Sequence, residues 1–424
     1  MNKVRVSNKG WVGLLFMDIR TKRYLKSKFK EYYRMANLDL PSELPSREWG
    51  FISFDQMPQT IMYRHKAFEA PGEIRDYLVS MQPAHVYHSV AYYQYPGAPS
   101  MKEKNWLGAD LIFDLDADHL PNSPQSYADM LDMVKNEALK LLDFLMDDFG
   151  FPEDSITAVF SGGRGYHFHI EDPKVRQLES PQRREIVDYV GGKGIRAEFF
   201  YKRKFLEGDS GTGTKSFKEK TELSSRYVLK NPDTGWSRRI TEYIACYLRE
   251  EMEKDKKKRF RELKKIDGFG KKAISQLERI AVDPERLDAF RKTGMLDFGS
   301  NISQDLLLKL INMAIEENHI HLLNPAQVDE PVTADIKRLI RLPGSLHGGS
   351  GMRVVTLRLD EIENFEPLSD AVVFSGKPVT IKVMKPYEIQ MKGEELQVEE
   401  GVQQVPEYAA IYLMCRGAAE YGSK

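Results

Sequence analysis

The stretch Gly108–His119, with the sequence GADLIFDLDADH, decides the fold because it predicts a buried β-strand that ends in a cluster of carboxylates. Side chains on a strand point alternately to opposite faces, so Asp114 and Asp116 project from the same face. Two adjacent carboxylates repel each other unless a cation lies between them, and Mg²⁺ or Mn²⁺ prefers oxygen ligands of this kind. The apolar run before the pair favours a metal site, although a solvated strand end also explains a lone DxD pattern.

The composition is that of a globular protein with an ample core. The chain has 424 residues, of which 41% are hydrophobic and 29% are charged, and at roughly 150 residues per domain this length predicts two or three domains. No apolar run approaches the roughly 18–20 residues that cross a bilayer. Cys246 and Cys415 are the only cysteines, which excludes a disulfide framework and a cysteine-based zinc site. We therefore expect a soluble, intracellular (cytoplasmic) protein with no membrane partner.

Charge is distributed unevenly along a chain whose net charge is −1. Lys254–Lys272 is strongly basic, whereas the tail around Glu388–Glu400 is acidic. This pattern permits a polyanion-binding groove on a nearly neutral protein. A solvated helix face explains any single basic run equally well.

The hydrophobic pattern predicts an α/β (α+β) fold built around a mixed sheet. Ser123 is expected to cap a long helix that runs to about Asp148, and residues 180–300 are polar and mostly helical. The other predicted elements are a helix over 18–37, a strand over 49–54, a helix over 72–82, strand-forming residues over 84–94, strands over 155–160 and 166–170, a helix over 304–317, strands over 353–359, 371–374 and 379–385, and a helix over 408–416.

A second constellation is SGGRGYHFH at Ser161–His169. Two strands joined by a glycine-rich turn expose backbone N–H groups to an anion, Ser161 adds a hydroxyl, and the Arg164 guanidinium suits phosphate oxygens. His167 and His169 share one face, so they are either a zinc pair or one phosphate donor and one packed residue. The GxxxxGK[ST] pattern of a P-loop is absent, and a plain turn remains an alternative.

A third constellation lies at Asp329–His347, DEPVTADIKRLIRLPGSLH. Asp329 is a candidate third metal ligand. Lys337, Arg338 and Arg341 fall within about one helical turn if the stretch is helical, and the Pro-Gly pair after them ends the element before His347. The alternative is a basic surface helix followed by a loop.

The stretch LKKIDGFGKKAISQL at 263–277 is similar to a helix-hairpin-helix module. Such a turn offers backbone N–H groups to a DNA phosphate. An ordinary packing corner between two helices is the alternative.

Taken together, the stretches resemble the small, catalytic subunit of the archaeal and eukaryotic DNA primases. FDLDAD at Phe113–Asp118, SGGRGYHFH at Ser161–His169 and DEPVTADIKRLIRLPGSLHGGSG at Asp329–Gly351 carry the resemblance, in the order that the family has them. The tail VPEYAAIYLMCRGAAEY is also similar. The resemblance covers about residues 10–175 and 300–420.

The resemblance implies a role for each matching residue. Metal ligation is implied for Asp114, Asp116 and Asp329, and binding of the nucleotide phosphates for Ser161, Arg164, His167, Arg341 and His347. It also implies a discontinuous catalytic core (1–178 and 300–424) related to the RNA-recognition fold, with 179–299 as a helical subdomain. The implied cofactor is Mg²⁺ or Mn²⁺, and the implied partners are a large regulatory subunit, single-stranded DNA template and nucleoside triphosphates.

The sequence departs from the family in two places. Some members carry a second basic residue where this chain has Gly163, and many carry a Cys/His zinc knuckle after the first motif. The region Asp118–Phe149 has no cysteine and only His119, so a structural zinc of that type is not expected.

Three other functions compete with primer synthesis. A haloacid-dehalogenase-like phosphatase would use the DLDAD strand end but leaves the other two stretches unexplained. A repair-type polymerase of the same superfamily would share the catalytic residues. A non-catalytic DNA-binding subunit would rely on the turn at 263–277.

Overall fold

The computed structural model describes residues 17–57, 60–117, 126–205, 225–264, 270–281, 283–295, 304–318 and 332–422. Its helices are Ile19–Met35 (α1), Pro71–Met81 (α2), Tyr127–Asp143 (α3), Ser180–Val190 (α4), Gly235–Glu253 (α5), Lys256–Leu263 (α6), Lys271–Ala281 (α7), Pro284–Thr293 (α8), Gln304–Asn318 (α9), Pro367–Asp370 (α10) and Glu407–Cys415 (α11). Its strands are Trp49–Ser53 (β1), Met62–Lys66 (β2), Pro83–Ser89 (β3), Ala91–Tyr93 (β4), Trp106–Ala109 (β5), Leu111–Asp116 (β6), Ile156–Phe160 (β7), Gly165–Ile170 (β8), Tyr201–Phe205 (β9), Ser225–Leu229 (β10), Leu339–Arg341 (β11), Val355–Leu357 (β12), Pro378–Val383 (β13), Tyr387–Met391 (β14), Glu394–Val398 (β15), Gly401–Pro406 (β16) and Ala419–Tyr421 (β17).

The chain divides into two compact units. The first comprises Met1–Met146, Gly150–Val187 and His321–Lys424, and the second comprises Asp147–Phe149 and Asp188–Ile320. Among the described residues, no helix is long and apolar enough to cross a membrane.

The predicted carboxylate strand is β6, and it lies at the edge of a four-stranded sheet in the first unit, with the order β12-β7-β8-β6. Leu111, Phe113 and Leu115 are fully buried, which anchors β6 and turns both carboxylates to the other face. The expectation of a mixed sheet is wrong, because the pairs between described strands are antiparallel. The strands follow one another through hairpins and long returns, so the fold is α+β.

A second sheet of the first unit has the order β11-β3-β1-β2. The sequence analysis considered a helix for the stretch from Lys337 to Arg341, but Leu339–Arg341 form strand β11. Leu339 and Ile340 are buried and Arg341 pairs with Tyr87 on β3. Successive side chains of a strand point to opposite faces, and both Leu339 and Ile340 are buried because the two faces of this sheet are covered at β11.

Helix α1 supports the segment that follows β11. Asp18 caps the helix by accepting hydrogen bonds from the backbone N–H groups of its first turn, which confirms the predicted helix. The Tyr32 hydroxyl donates to the Gly344 carbonyl at 2.7 Å, and the Tyr33 hydroxyl accepts from the Leu346 N–H at 3.3 Å. The turn that leads to His347 is thereby fixed to a helix over 300 residues earlier in the chain.

A buried ion pair ties three segments of the first unit together. Arg47 and Asp110 lie 2.7 Å apart, and their side chains are 0% and 6% exposed. Arg47 also donates to the carbonyls of Ser89 and Val90, and the Tyr92 hydroxyl donates to Asp110. Because Asp110 immediately precedes β6, this network fixes the start of the carboxylate strand.

Two other predictions are corrected. The long helix begins after Ser126, which forms a capping box with Asp129, and not at Ser123, which lies outside the described residues. The predicted strand over 371–374 is wrong, because those residues follow α10 as irregular chain. The tail instead forms hairpin β14–β15, which the sequence analysis missed.

The second unit packs its helices around α5. Its core contains Ile240, Ile244, Leu310 and Ile311. The expected helices are present, but hairpin β9–β10 was not predicted. The central residues of the helix-hairpin-helix-like turn, 265–269, lie outside the described residues.

Candidate active site

A cavity of about 250 Å³ opens in the first unit where β6, β8 and β11 meet the turn between β7 and β8 and the turn after β11. The predicted site residues that line it are Asp114, Asp116, Ser161, Arg164, His167, Arg341 and His347. Asp329 lies outside the described residues. Segments far apart in the sequence therefore meet in one cavity.

The antiparallel register of β6 and β8 places the carboxylates beside basic side chains. Asp114 lies opposite His167, and their Oδ1 and Nε2 atoms are 3.3 Å apart. Asp116 lies opposite Gly165, and its Oδ1 is 3.7 Å from Nη2 of Arg164. Gly165 is required here because a Cβ would collide with the Leu115 carbonyl. The two strands thus approach closely enough for the carboxylates and their partners to share the cavity.

Asp114 is held in its ionised form. Burial by itself raises the pKa of this carboxyl. The charge and hydrogen bond of His167, together with the charges of Arg338 and Arg341, outweigh burial, so the pKa lies below its ordinary value. A carboxylate that is ionised at neutral pH is the form that ligates a cation.

The donor chemistry fits a divalent cation. Asp114 and Asp116 offer carboxylate oxygens, 22% and 41% of their side chains are exposed, and hard divalent ions prefer such ligands. Within the described ranges no group of three or more His, Cys, Asp or Glu side chains is placed to hold a metal ion. The described residues therefore supply two carboxylates of a metal site.

The glycine-rich turn between β7 and β8 is organised by Ser161. Its Oγ accepts hydrogen bonds from the N–H groups of Gly163 at 3.3 Å and Gly165 at 3.2 Å. Gly162 has a φ of +72°, a conformation that favours glycine. The Ser161 oxygen thus accepts hydrogen bonds within the turn. Its hydroxyl proton can then be donated to an acceptor in the cavity.

Two neutral imidazoles flank Arg341. Nδ1 of His85 accepts from Nη1 of Arg341 at 2.6 Å, and Nδ1 of His347 accepts from the Gly349 N–H at 3.1 Å. Burial, followed by the charge of Arg341, holds the pKa of both histidines well below 6.5. Since each Nδ1 is an acceptor, each ring carries its proton on Nε2, and His347 presents an N–H donor.

Gly163 lies against the His347 ring. A Cβ at this position would be 2.9 Å from Nε2 of His347, which is closer than real Cβ contacts. A basic side chain here would require the imidazole to move. The departure from the family pattern at Gly163 therefore has a steric reason in this chain.

His169 is packed and does not line the cavity. It is 6% exposed, its ring centroid lies 6.3 Å from that of His167 and 6.2 Å from that of His88, and burial lowers its pKa well below 6.5. Of the two alternatives for the histidine pair, this geometry favours one residue in the cavity and one packed behind it.

The sequence analysis missed several residues of the cavity. Tyr87 lies beside Arg341, whose Cζ is 5.1 Å from the tyrosine ring centroid. His85 is on the same strand, and only the pairing of β3 with β11 brings either residue to the site. Arg416 also lines the cavity. It lies in the tail that carried part of the resemblance, but no sequence pattern predicted that it would share a cavity with the carboxylates.

Comparisons with known proteins point to one family. The family model described as "DNA primase small subunit" matches residues 113–359. A DNA primase small subunit PriS from Methanosarcina acetivorans is 54% identical over 409 residues, which cover 96% of this chain and 98% of the relative. Proteins with the same name from Methanocella arvoryzae and Halobacterium salinarum are 43% and 40% identical over 410 and 409 residues, and cover 100% and 99% of those relatives.

The matched region begins within β6 and extends past His347, so it contains all three stretches on which the sequence resemblance was based. The haloacid-dehalogenase alternative has no comparable support. The resemblance drawn from the sequence is confirmed, and the chain belongs to the family of DNA primase small subunits.

Proposed function

We propose that this chain synthesises short primers on single-stranded DNA from nucleoside triphosphates, as the catalytic subunit of a replicative primase. The observation that supports this most is the cavity in which Asp114 and Asp116 lie beside Arg164, His167 and the residues around Arg341. Carboxylates for a cation and donors for an anion in one cavity suit nucleotidyl transfer.

In this proposal Asp114, Asp116 and Asp329 hold two Mg²⁺ or Mn²⁺ ions. Such ions, when bound, lower the pKa of an attacking 3′-hydroxyl and stabilise charge on the departing pyrophosphate. The contribution of the chain is to keep the carboxylates ionised and on one face of β6, where the lowered pKa of Asp114 supports that role.

The cations and N–H donors of the cavity bind the triphosphate. The residues in this role are Ser161, Arg164, His167, Arg341 and His347. Arg164 and Arg341 supply charge and directed donors, and neutral His347 donates from Nε2. Fixing the triphosphate orients its α-phosphorus for in-line attack, which lowers the entropic part of the barrier.

The remaining parts of the proposal concern fold and partners. The first unit serves as the catalytic core, related to the RNA-recognition fold, and the second unit as a helical subdomain. Basic residues outside the cavity hold the template through its phosphates. A large regulatory subunit assists chain initiation, and the substrates locate this activity inside the cell.

The test is a synthesis assay on single-stranded DNA with labelled nucleotides, Mg²⁺ or Mn²⁺ and no primer. We expect short products from the unaltered chain, and a loss of at least about 100-fold in Asp114→Asn with unchanged unfolding. Asp360→Asn is the matched control, because Asp360 is exposed and pairs with Arg358 outside the cavity.

Other outcomes would identify another function. Products that appear only when a primer is supplied, even with the large subunit present, would indicate a repair-type polymerase. Release of inorganic phosphate without polymer would favour a phosphatase. Nucleic-acid binding that ignores metal and nucleotide, with no synthesis, would favour a non-catalytic DNA-binding subunit.

A further inference from the structure

Arg416, directly after α11, lines the cavity, and the proposed function does not yet use its positive charge. We infer that Arg416 binds the terminal phosphate of the incoming nucleoside triphosphate. This inference rests on the proposed function of the cavity and adds a phosphate-binding residue from the C-terminal tail to those on the hairpin and on β11.

Two aromatic rings hold the Arg416 guanidinium at the edge of the cavity. Its Cζ lies 4.7 Å from the ring centroid of Tyr127 and 5.0 Å from that of Tyr412. The Tyr127 hydroxyl donates to the Gly163 carbonyl, so the guanidinium lies beside the glycine-rich turn. Contact with aromatic faces fixes a guanidinium, and Arg416 also hydrogen-bonds with the Tyr127 and Tyr412 side chains.

The hydrogen bonding of Arg416 is incomplete. Its Nε is buried, and within the described part of the chain it has no hydrogen-bond partner. A buried charged donor without an acceptor is costly, and such groups in native structures commonly mark a missing ligand or water. An anion in the cavity would supply an acceptor to this guanidinium.

Arg416 lies on the His347 side of the cavity, because Tyr127, which it contacts, donates to the Gly163 carbonyl and Gly163 lies against the His347 ring. Its charge also lowers the pKa of His347, after burial, Arg341 and His85. In the proposed function the α-phosphate lies at the carboxylates and the triphosphate extends towards His347, so the terminal phosphate is the one placed to meet Arg416.

The local geometry excludes a long side chain from two positions of the glycine-rich turn, Gly162 and Gly163. A Cβ on Gly162 would be 2.9 Å from Cβ of His347, and a Cβ on Gly163 would be 2.9 Å from Nε2 of His347. The turn has no room for a long side chain at these positions. Arg416 therefore adds, from another element, a positive charge to those of Arg164 and Arg341.

The experiment compares binding of ATP and ADP to the full chain by calorimetry in the presence of Mg²⁺. We expect Arg416→Gln to raise the dissociation constant of ATP about 10- to 100-fold, the effect of one charge-assisted hydrogen bond, while that of ADP changes less than about twofold. Arg416→Lys keeps the charge and should retain part of the ATP affinity. Arg358→Gln, on an exposed arginine outside the cavity, is the matched control.

The outcomes separate this inference from the proposed function. Equal weakening of ATP and ADP, or no weakening of either, would overturn the role of Arg416. An unaltered chain that binds neither nucleotide would overturn the proposed function instead. If Arg416→Gln does not fold, Arg416→Lys carries the test, since it lacks the forked donors and should weaken ATP by about 3- to 10-fold with ADP unchanged.

Discussion

At the scale of single residues, the site depends on glycines, which leave space for their neighbours, as much as on residues with functional side chains. Gly163 and His347 show this, because the glycine leaves the space that the imidazole ring occupies. The sequence marked both residues, but only the packing of the turn after β11 against the turn after β7 shows that they touch.

Gly163→Ala tests this contact. The new Cβ would lie 2.9 Å from Nε2 of His347, so the ring must shift away from the phosphate. We expect the KM for nucleoside triphosphate to rise about tenfold, and the free energy of unfolding to fall by about 1 kcal/mol, a typical overpacking cost. Steady-state kinetics and denaturant unfolding measure the two effects.

Gly376→Ala is the control, because a Cβ there meets nothing within 4 Å. An unchanged KM in Gly163→Ala would mean that the position of His347 does not matter for binding.

Residue types and spacing were sufficient to select the candidate carboxylates and most of the candidate phosphate ligands from the sequence. They did not select His85, Tyr87 or Arg416. A lone histidine, tyrosine or arginine carries no pattern. Tyr87 and Arg416 reach the cavity, and His85 reaches Arg341, only through pairing or packing between segments that lie far apart in the chain.

At the scale of elements, the start of α11 is held by charge. Glu407 begins the helix and accepts from the N–H and hydroxyl of Ser375 at 3.1 and 2.6 Å. Its Oε1 lies 3.0 Å from Nζ of Lys28 on α1. Burial alone raises the pKa of Glu407, but these hydrogen bonds outweigh burial and lower it below 4.5. The ionised carboxylate therefore joins α1 to the helix that positions Arg416.

This link predicts a pH dependence. A carboxyl whose pKa is lower in the folded state stabilises the fold above its unfolded pKa, and this contribution disappears as the pH falls through the folded pKa. We expect Glu407→Gln to lower the free energy of unfolding by about 1–2 kcal/mol at neutral pH. The difference from the unaltered chain should shrink once the pH falls below about 4.

Urea unfolding of both proteins at a series of pH values measures the difference. Glu363→Gln, at an exposed position, is the control. A difference that is constant with pH would show that Glu407 acts through its shape and not its charge.

Elements with a strong apolar period were predictable, as α1, α2 and β6 show. Leu339–Arg341 was not, because three residues between Arg338 and Leu342 are too short to show a helix or strand period, and pairing with β3 decides the outcome. Hairpin β14–β15 was missed because its exposed glutamates and glutamines mask the alternation of its buried residues.

At the scale of the whole molecule, interactions between distant segments hold the first unit together, and no local sequence pattern predicts them. The pair of Arg47 and Asp110 connects the segment before β1, the end of β3 and the start of β6. Composition predicted a core large enough for more than one domain, but long-range pairing of this kind depends on the complete topology.

Arg47→Met tests the pair. It leaves the Asp110 carboxylate buried without its cation, and we expect the free energy of unfolding to fall by about 3–5 kcal/mol. Adding Asp110→Asn should recover part of the loss, because the buried charge is then removed. Guanidinium unfolding of the two variants checks this, and a double variant less stable than Arg47→Met would contradict it.

The position of β8 in its sheet determines how rarely the backbone hydrogen bonds of this part of the site open. This strand is paired on both sides, with β7 and with β6, so its amides should open to exchange with solvent only in the rarest fluctuations. Under the proposed function, the backbone that carries His167 is therefore ordered before a nucleotide binds. Little backbone ordering entropy would then be lost at this strand on binding, so its contribution to the affinity would be set by its contacts and not by a prior search among conformations.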